Sequence, residues 1–269
     1  MDDRRWILLS NDDGADSPAL EPLMRHLARV APVRAVVPAS ERSWAGKKMS
    51  RFGRLRIEHR ACEDGELYLL DGYPADCTNL GIHSLWDGSP ALVVSGINVG
   101  ANAGTAYFLS SGTVGAAVEG VLAGVPAAAF SLQLASEDYR RWRRERSVAG
   151  MEDTWEEAAA VTADVVGEIL RGGLPNGASL LNVNMPPGVN RDSPRRFAPL
   201  ALSTYGAFFA PDPEAEGHYS YRLQGLRRLQ TDETSDLAAL ERGEVALTPV
   251  RFAFDAGASA QDRTRFERG

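Results

Sequence analysis

Near the start of the chain, Asn11, Asp12 and Asp13 carry side chains that could do chemistry, and Gly14 follows them directly and permits a tight turn. Two adjacent carboxylates repel each other, and a cation bound between them relieves that repulsion. Carboxylate and amide oxygens suit a hard divalent ion such as Mg²⁺ or Mn²⁺. An ordinary solvated turn is the alternative, because these residue types are also common in turns. The stretch is therefore a candidate metal site.

A second polar stretch covers residues 96–104 and follows an apolar run. It contains three glycines and two asparagines, Asn98 and Asn102. The side chain of Asn98 can offer a neutral oxygen to a cation. The simpler alternative is a glycine-rich turn in which the asparagines tolerate positive φ.

A third polar stretch, residues 110–117, combines hydroxyl side chains with glycines just before an alanine-rich helical pattern. Ser111, Gly112 and Thr113 stand at the expected start of that helix. A helix start has unpaired N–H groups, and together with hydroxyl side chains they can bind a phosphate. Ordinary N-capping by Ser111 or Thr113 is the alternative.

A basic loop at residues 38–54 is the last candidate for binding an anionic ligand. Its cationic residues are Arg42, Lys47, Lys48, Arg51 and Arg54. The loop follows the second predicted strand, so it lies at the same end of the sheet as Asp12, where ligands bind in α/β proteins. A merely solvated basic face is the alternative.

Apolar runs and helical spacing indicate which elements present these stretches. Residues 6–9 form a continuous apolar run typical of a strand that is buried on both faces. A helix from Ser17 or Pro18 and a strand over residues 33–37 complete a strand–helix–strand unit, which requires a parallel sheet. The other expected segments are strands over 67–70, 91–95, 126–132 and 179–183, helices over 74–86 and 153–171, and an exposed charged stretch over 137–146.

These elements predict an α/β fold, with a Rossmann-like doubly wound, mostly parallel sheet and helices on both faces. We assign residues 1–187 to this catalytic core. From residue 188 to residue 254 short strand-like fragments alternate with polar loops, around one short helix at 235–241 and a strand at 245–249. We interpret this part as a β-rich C-terminal extension that oligomerises. Residues 255–269 are polar, which predicts a frayed tail.

Composition and missing motifs exclude several classes of protein. The chain has 269 residues, is 44% hydrophobic, carries a net charge of −7 and contains two cysteines. This balance disfavours binding to a nucleic-acid polymer or a membrane and predicts a cytoplasmic protein. The chain has no G-x-G-x-x-G and no G-x-x-x-x-G-K-[ST], so a dinucleotide site and a P-loop lack their motifs. It has no G-x-S-x-G, which argues against a serine esterase.

Several segments resemble the SurE-type metal-dependent nucleotidases, also called stationary-phase survival proteins. The matching segments are residues 8–14 (LLSNDDG), 71–77 (DGYPADC), 95–98 (SGIN), 100–102 (GAN), 111–120 (SGTVGAAVEG) and 181–186 (LNVNMP), with weaker matches at 236–243 and 245–250. They occur in order along nearly the whole chain.

The resemblance implies a 5′/3′-nucleotidase that hydrolyses nucleoside monophosphates with one divalent cation, Mg²⁺ or Mn²⁺, in each subunit. By position, the cation's ligands look like Asp12, Asp13, Ser43 and Asn98. The phosphate would contact Ser111, Gly112 and Thr113, with Asn11 and Asn102 close by. Among these, the predicted catalytic residues are Asp12, Asn11, Ser111 and Thr113. Ser43 and Asn98 would also contact substrate.

The resemblance also implies a homodimer or homotetramer in which the extension crosses to a partner subunit. The crossing would bury the apolar residues Phe208, Phe209, Tyr219, Tyr221 and Leu223. The sequence departs from the family pattern after Ser43, where Trp44 and two lysines replace small residues. We expect Trp44 at the rim of the site, where it stacks on a base or, alternatively, packs against its own loop.

Two further functions stay open from the sequence. One is a module that binds a phosphorylated ligand without hydrolysing it. The other is a phosphatase for a non-nucleotide phosphomonoester or a short polyphosphate.

Overall fold

The computed structural model describes residues 5–145, 149–222, 225–230, 232–252 and 257–267. Leu223 therefore lies outside the described residues. The strands are β1 (Ile7–Ser10), β2 (Val33–Pro38), β3 (Ile57–Arg60), β4 (Glu66–Leu70), β5 (Leu92–Val99), β6 (Ala127–Leu132), β7 (Leu180–Met185), β8 (Arg195–Phe197), β9 (Ser203–Thr204), β10 (Phe209–Pro211), β11 (Tyr219–Tyr221), β12 (Arg227–Arg228) and β13 (Val245–Val250). The helices are α1 (Leu20–Ala28), α2 (Pro74–His83), α3 (Gly104–Ser110), α4 (Gly112–Leu122), α5 (Ser136–Glu145), α6 (Glu152–Gly172), α7 (Asp236–Glu241) and α8 (Ala260–Phe266).

A nine-stranded sheet forms the centre of the molecule, in the order β3-β4-β2-β1-β5-β6-β7-β13-β8. From β4 to β7 every neighbouring pair is parallel. The antiparallel pairs are β3 with β4 near one edge and β7 with β13 near the other. The predicted doubly wound, mostly parallel α/β fold is confirmed.

Helices cover both faces of the sheet because the side chains of its central strands alternate between two apolar cores. Ile7 and Leu9 of β1 belong to one core, together with apolar residues of α1 and α6. Leu8 belongs to the other core, with residues of α2 and α4. All three side chains are fully buried. This arrangement explains why β1 is an uninterrupted apolar run rather than an alternating one.

The helix expected to start at Ser111–Thr113 does begin there, as α4 from Gly112, but Ser110 already ends another helix, α3, so only Ser111 lies between the two helices. Two other local predictions were wrong. Strand β5 continues to Val99 and so includes the first residues of the glycine-rich stretch. The charged stretch at 137–146 was not predicted as a helix, yet it forms α5 up to Glu145. In that helix Trp142 is buried, and burial of one large aromatic face on the core stabilises an otherwise charged segment.

The C-terminal part returns to the central sheet, which differs from the expected separation at residue 188. Strand β13 pairs antiparallel with β7 and parallel with β8, so both β8 and β13 extend the core. Outside the sheet, β9 pairs with β12, and β10 pairs with β11 in a hairpin. The tail contains the helix α8, all of whose residues are exposed, and the frayed tail stays a prediction. None of the helices in the described part of the chain is long and apolar enough to cross a membrane.

Candidate active site

The carboxyl ends of three adjacent parallel strands bring the predicted residues together. Strand β1 lies between β2 and β5. After β1 the chain first adds strands on the β2 side of the sheet and then crosses to the β5 side, so the direction of strand addition reverses at β1. Ligands bind in α/β proteins at such a switch point. Asp12 and Asp13 follow β1, Ser43 lies in the loop after β2, and Asn98 belongs to the end of β5.

A cleft of about 900 Å³ opens at these strand ends. The residues predicted from the sequence that line it are Asp12, Asp13, Ser43, Trp44, Asn98, Asn102 and Ser111. Three others predicted to act there, Asn11, Gly112 and Thr113, are buried and are not among its lining residues. The predicted site residues therefore form two groups, those that reach the cleft and those that lie beneath it and support the first group.

Asp12 is fixed by the start of α4. The Thr113 hydroxyl donates a hydrogen bond to Asp12 Oδ1 at 2.5 Å. Gly112 lies so close that a Cβ atom there would be 2.8 Å from Asp12 Cβ, which explains the glycine. Burial raises the pKa of Asp12 from its ordinary 3.8 to about 6, and the bonds from Thr113 offset part of that rise.

Asp13 and Asn98 are both held by the end of β5. The backbone N–H of Val99 donates to Asp13 Oδ2 at 2.9 Å. The amino group of Asn98 donates to the Gly100 carbonyl at 2.6 Å, so its side-chain oxygen is the atom suited to bind a cation. Strand β5 thus orients the carboxylate of Asp13, which follows the neighbouring strand β1, as well as its own amide.

Asn11 closes the turn on which Asp12 and Asp13 stand. Its amino group donates to the Gly14 carbonyl, and its side-chain oxygen accepts from the Gly14 N–H, each at 3.0 Å. Gly14 has φ of +84°, which favours glycine. The geometry gives Asn11 a positioning role beneath the cleft.

Ser43 is connected to the opposite wall of the cleft through Glu41. Its hydroxyl donates to Glu41 Oε1 at 2.7 Å. The same oxygen accepts from Arg143 Nη1 of α5 at 3.3 Å. Both Glu41 and Arg143 line the cleft. The sequence prediction named neither of them.

Ser111 and Asn102 occupy the remaining side of the cleft. The hydroxyl of Ser111 accepts from Val114 N–H at 3.1 Å and caps α4, as the simpler alternative expected. Asn102 donates to Ser131 Oγ at 2.8 Å, and its backbone N–H donates to Asn184 Oδ1 at 2.8 Å. Both residues are nearly buried but reach the cleft surface.

Trp44 contacts three aromatic rings that belong to other parts of the chain. Its ring lies 5.8 Å from that of Tyr107 in α3, 5.3 Å from Tyr205 and 5.5 Å from Phe208. Trp44 is nevertheless 46% exposed and lines the cleft. The aromatic contacts hold the indole in a fixed place while one surface stays accessible.

The cations of the basic loop mostly have partners outside the cleft. Lys47 pairs with the nearly buried Glu119 at 2.5 Å. Lys48 Nζ lies 4.3 Å from the ring centroid of Tyr73, and Arg42 pairs with an exposed aspartate. None of these three cations is among the residues that line the 900 Å³ cleft.

Comparisons with known proteins identify the family. The family model described as "Survival protein SurE" matches residues 7–206. The chain belongs to the SurE family. The predicted resemblance is thereby confirmed.

Relatives and a solved SurE structure match along nearly the full length of the chain. A protein of Thermus thermophilus named "5'-nucleotidase SurE 1" is 38% identical over 91% of this chain and 90% of its own length. A Methanocella arvoryzae protein named "5'-nucleotidase SurE" is 32% identical over 91% of both chains. The crystal structure of the SurE protein from Aquifex aeolicus has a TM-score of 0.73 and 29% identity, covering 93% of this chain and 95% of that one.

In this SurE-family chain the residues missed by the sequence analysis come mainly from α5 and the C-terminal part. Tyr139, Trp142 and Arg143 of α5 line the cleft, as does Tyr221 of the extension. The three α5 positions follow the i, i+3, i+4 spacing of one helix face, which is the signal that could have identified them. For Tyr221 no comparable local pattern exists.

Proposed function

We propose that this chain is a phosphomonoesterase that hydrolyses nucleoside 5′- and 3′-monophosphates to nucleoside and phosphate. The observation that carries the proposal is the cleft at the ends of β1, β2 and β5, where carboxylates, an amide oxygen and hydroxyls converge. The relatives named 5′-nucleotidases support the substrate class. The volume of about 900 Å³ lies within the range of small-molecule sites.

The proposal includes one divalent ion per subunit, Mg²⁺ or Mn²⁺, held by Asp12, Asp13, Ser43 and Asn98. This donor set consists of oxygens, which fits a hard cation. The Ser43 hydroxyl donates a hydrogen bond to Glu41, which leaves the lone pairs of its oxygen for a cation. The buried carboxyl of Asp12, with its raised pKa, is a group whose charged form a nearby cation would stabilise. When bound, such an ion neutralises charge on phosphoryl oxygens and acidifies a water.

We assign the chemical step to Asp12. Thr113 orients its carboxylate. The carboxylate either activates a water that displaces the nucleoside oxygen from phosphorus, or attacks phosphorus itself and expels the nucleoside before water hydrolyses the acyl phosphate to phosphate. Ser111 and Asn102, which reach the cleft, are proposed to contact the phosphate near the start of α4, where backbone N–H groups favour anions, and the buried Gly112 supports that helix start. Asn11 contributes by holding the turn that presents Asp12. Trp44 is proposed to contact the nucleoside.

The test is hydrolysis of a panel of phosphomonoesters with Mn²⁺ or Mg²⁺. We expect phosphate release from AMP, GMP and a 3′-nucleotide, lost when EDTA is added. Phosphate binding without release from any substrate would instead support the ligand-binding module. Preferential turnover of short polyphosphate or a sugar phosphate would support the phosphatase for other phosphoesters.

We also propose a homodimer or homotetramer, built with the C-terminal extension. In the hairpin of β10 and β11, Phe209, Tyr219 and Tyr221 are 61%, 68% and 55% exposed. Aromatic side chains of this kind are stabilised by burial against a second subunit. Light scattering at micromolar concentration should give at least a dimer, and a monomer would contradict the proposal. The cytoplasmic location stays a prediction of the sequence.

A further inference from the structure

The charges that line the cleft are unbalanced. Asp12, Asp13, Glu41 and Glu241 contribute carboxylates, whereas Arg143 is the one lysine or arginine among the described lining residues. A phosphomonoester brings about two negative charges at neutral pH. A divalent cation at Asp12 and Asp13 would neutralise only those two carboxylates. A dianion entering the cleft therefore needs a further positive charge.

Arg143 is placed to supply that charge. It belongs to α5, which the buried Trp142 fixes against the core. Its Nη1 atom and the hydroxyl of Ser43 bind the same oxygen of Glu41, at 3.3 Å and 2.7 Å. The guanidinium therefore lies within about 6 Å of Ser43 Oγ. A phosphate contacting Ser43 comes within reach of Arg143.

The ion pair between Arg143 and Glu41 is easily exchanged. It consists of one contact of 3.3 Å between side chains that are 50% and 25% exposed. Such partly exposed pairs contribute little to stability. Arginine binds phosphate through two parallel hydrogen bonds, which are stronger. Glu41 would still accept the hydrogen bond from Ser43 after the exchange.

The other arginines of α5 have partners within the helix. Arg141 pairs with Asp138, and Arg140 donates to the Ser136 carbonyl. Arg144 donates to the carbonyl of Arg140 and does not belong to the cleft lining. Arg144 is therefore a control on the same helix with the same charge.

We propose that Arg143 is a substrate-binding residue that leaves Glu41 and binds the phosphate group of the substrate. The inference rests on the proposed function, because that function makes the ligand a phosphomonoester. The inference extends the binding site to α5, a helix outside the sequence segments that resemble the family. It gives α5 a role in recognising the phosphate dianion.

The test measures binding of inorganic phosphate to the Mn²⁺-loaded full-length protein by calorimetry. Arg143→Ala should weaken phosphate binding about 10-fold or more, because a charge-assisted contact is lost. Arg143→Lys should recover part of the loss, since it keeps the charge but not the paired geometry. Arg144→Ala should bind phosphate like the parent. Mn²⁺ affinity, measured by electron paramagnetic resonance, should be the same in all four proteins.

Three results would overturn the inference. The first is equal phosphate binding by Arg143→Ala and Arg144→Ala. The second is a loss of Mn²⁺ affinity that accounts for the loss of phosphate binding, because Arg143 would then act only through Glu41 and Ser43. The third is a parent protein that binds no phosphate. If Arg143→Ala does not fold, Arg143→Lys takes its place in the comparison with Arg144→Ala. Equal phosphate binding by these two variants would then overturn the inference. Phosphate binding that depends on Arg143, without turnover of any phosphomonoester, would refute the proposed function and support this inference.

Discussion

Replacing Gly115 with alanine should displace the loop that carries Ser43. A Cβ atom at position 115 would lie 2.1 Å from the carbonyl oxygen of Gly46. Ordinary contact begins near 3.4 Å, so the loop backbone would have to move by about 1.3 Å. That movement would strain the bond from Gly46 N–H to the Ser110 carbonyl and the ion pair of Lys47 with Glu119.

The energetic consequence follows from two opposing effects. Alanine is preferred over glycine within a helix by roughly 0.5–1 kcal/mol. Overpacking against a fixed backbone costs typically about 1–3 kcal/mol, so Gly115→Ala should lower the free energy of unfolding by about 1–2 kcal/mol. Gly167 in α6 is a matched control, because its new Cβ would meet only Arg171 Nη2 at 3.6 Å and Val30 Cγ1 at 3.9 Å. Gly167→Ala should therefore raise stability by roughly 0.5–1 kcal/mol.

Urea unfolding of the metal-free protein and kinetics with Mn²⁺ test this prediction. A shift of about 1 Å near a reacting centre can cost about 10²-fold in rate, so we expect Gly115→Ala to lose kcat/KM on that scale. Gly167→Ala should keep the parent's kinetics. If Gly115→Ala is stabilised like Gly167→Ala and remains fully active, the packing of α4 against the loop does not position Ser43.

Four further substitutions test other parts of the site. Asp12→Asn should lose kcat even at saturating Mn²⁺; full activity would remove Asp12 from the chemistry. In the metal-free parent, the raised pKa of Asp12 lowers stability as the pH rises from 3.8 through about 6, and Asp12→Asn should abolish that part of the pH dependence in urea titrations. Asp13→Asn should be partly rescued by more Mn²⁺, and an activity independent of metal concentration would contradict this. Trp44→Ala should raise KM for nucleotides by roughly 5- to 100-fold but less for a small aryl phosphate, whereas equal effects would indicate a structural role. Asp236→Asn should destabilise the protein by about 1–3 kcal/mol, because the Asp236 carboxylate accepts three backbone N–H bonds and the amide leaves the N–H of Gly104 unpaired; an unchanged melting temperature would refute this.

The sequence by itself determined the elements that carry the site. The apolar run of β1 and the helical spacing of α1 predicted a parallel unit, because periodic burial is encoded locally. The polar segments that follow β1, β2 and β5 could be placed at one sheet edge, since parallel strands end on the same side. The order of strands and polar segments along the chain was therefore enough to place Asp12, Asp13 and Asn98 at one sheet edge, whereas the pairing of β1 with β5, which makes them neighbours, is seen only in the tertiary structure.

Only the tertiary structure decided which atoms these side chains bind. Asn11 and Thr113 have the same polar character as the residues that reach the cleft, yet they face Gly14 and Asp12 instead. The antiparallel return of β13 to the sheet, the position of α5 across from Ser43 and the packing of Trp44 also depend on residues far apart in the chain. Hydrophobic periodicity indicates that a segment is buried but does not indicate which other segment it packs against. Hydrogen-bond partners of polar side chains are determined by that long-range packing.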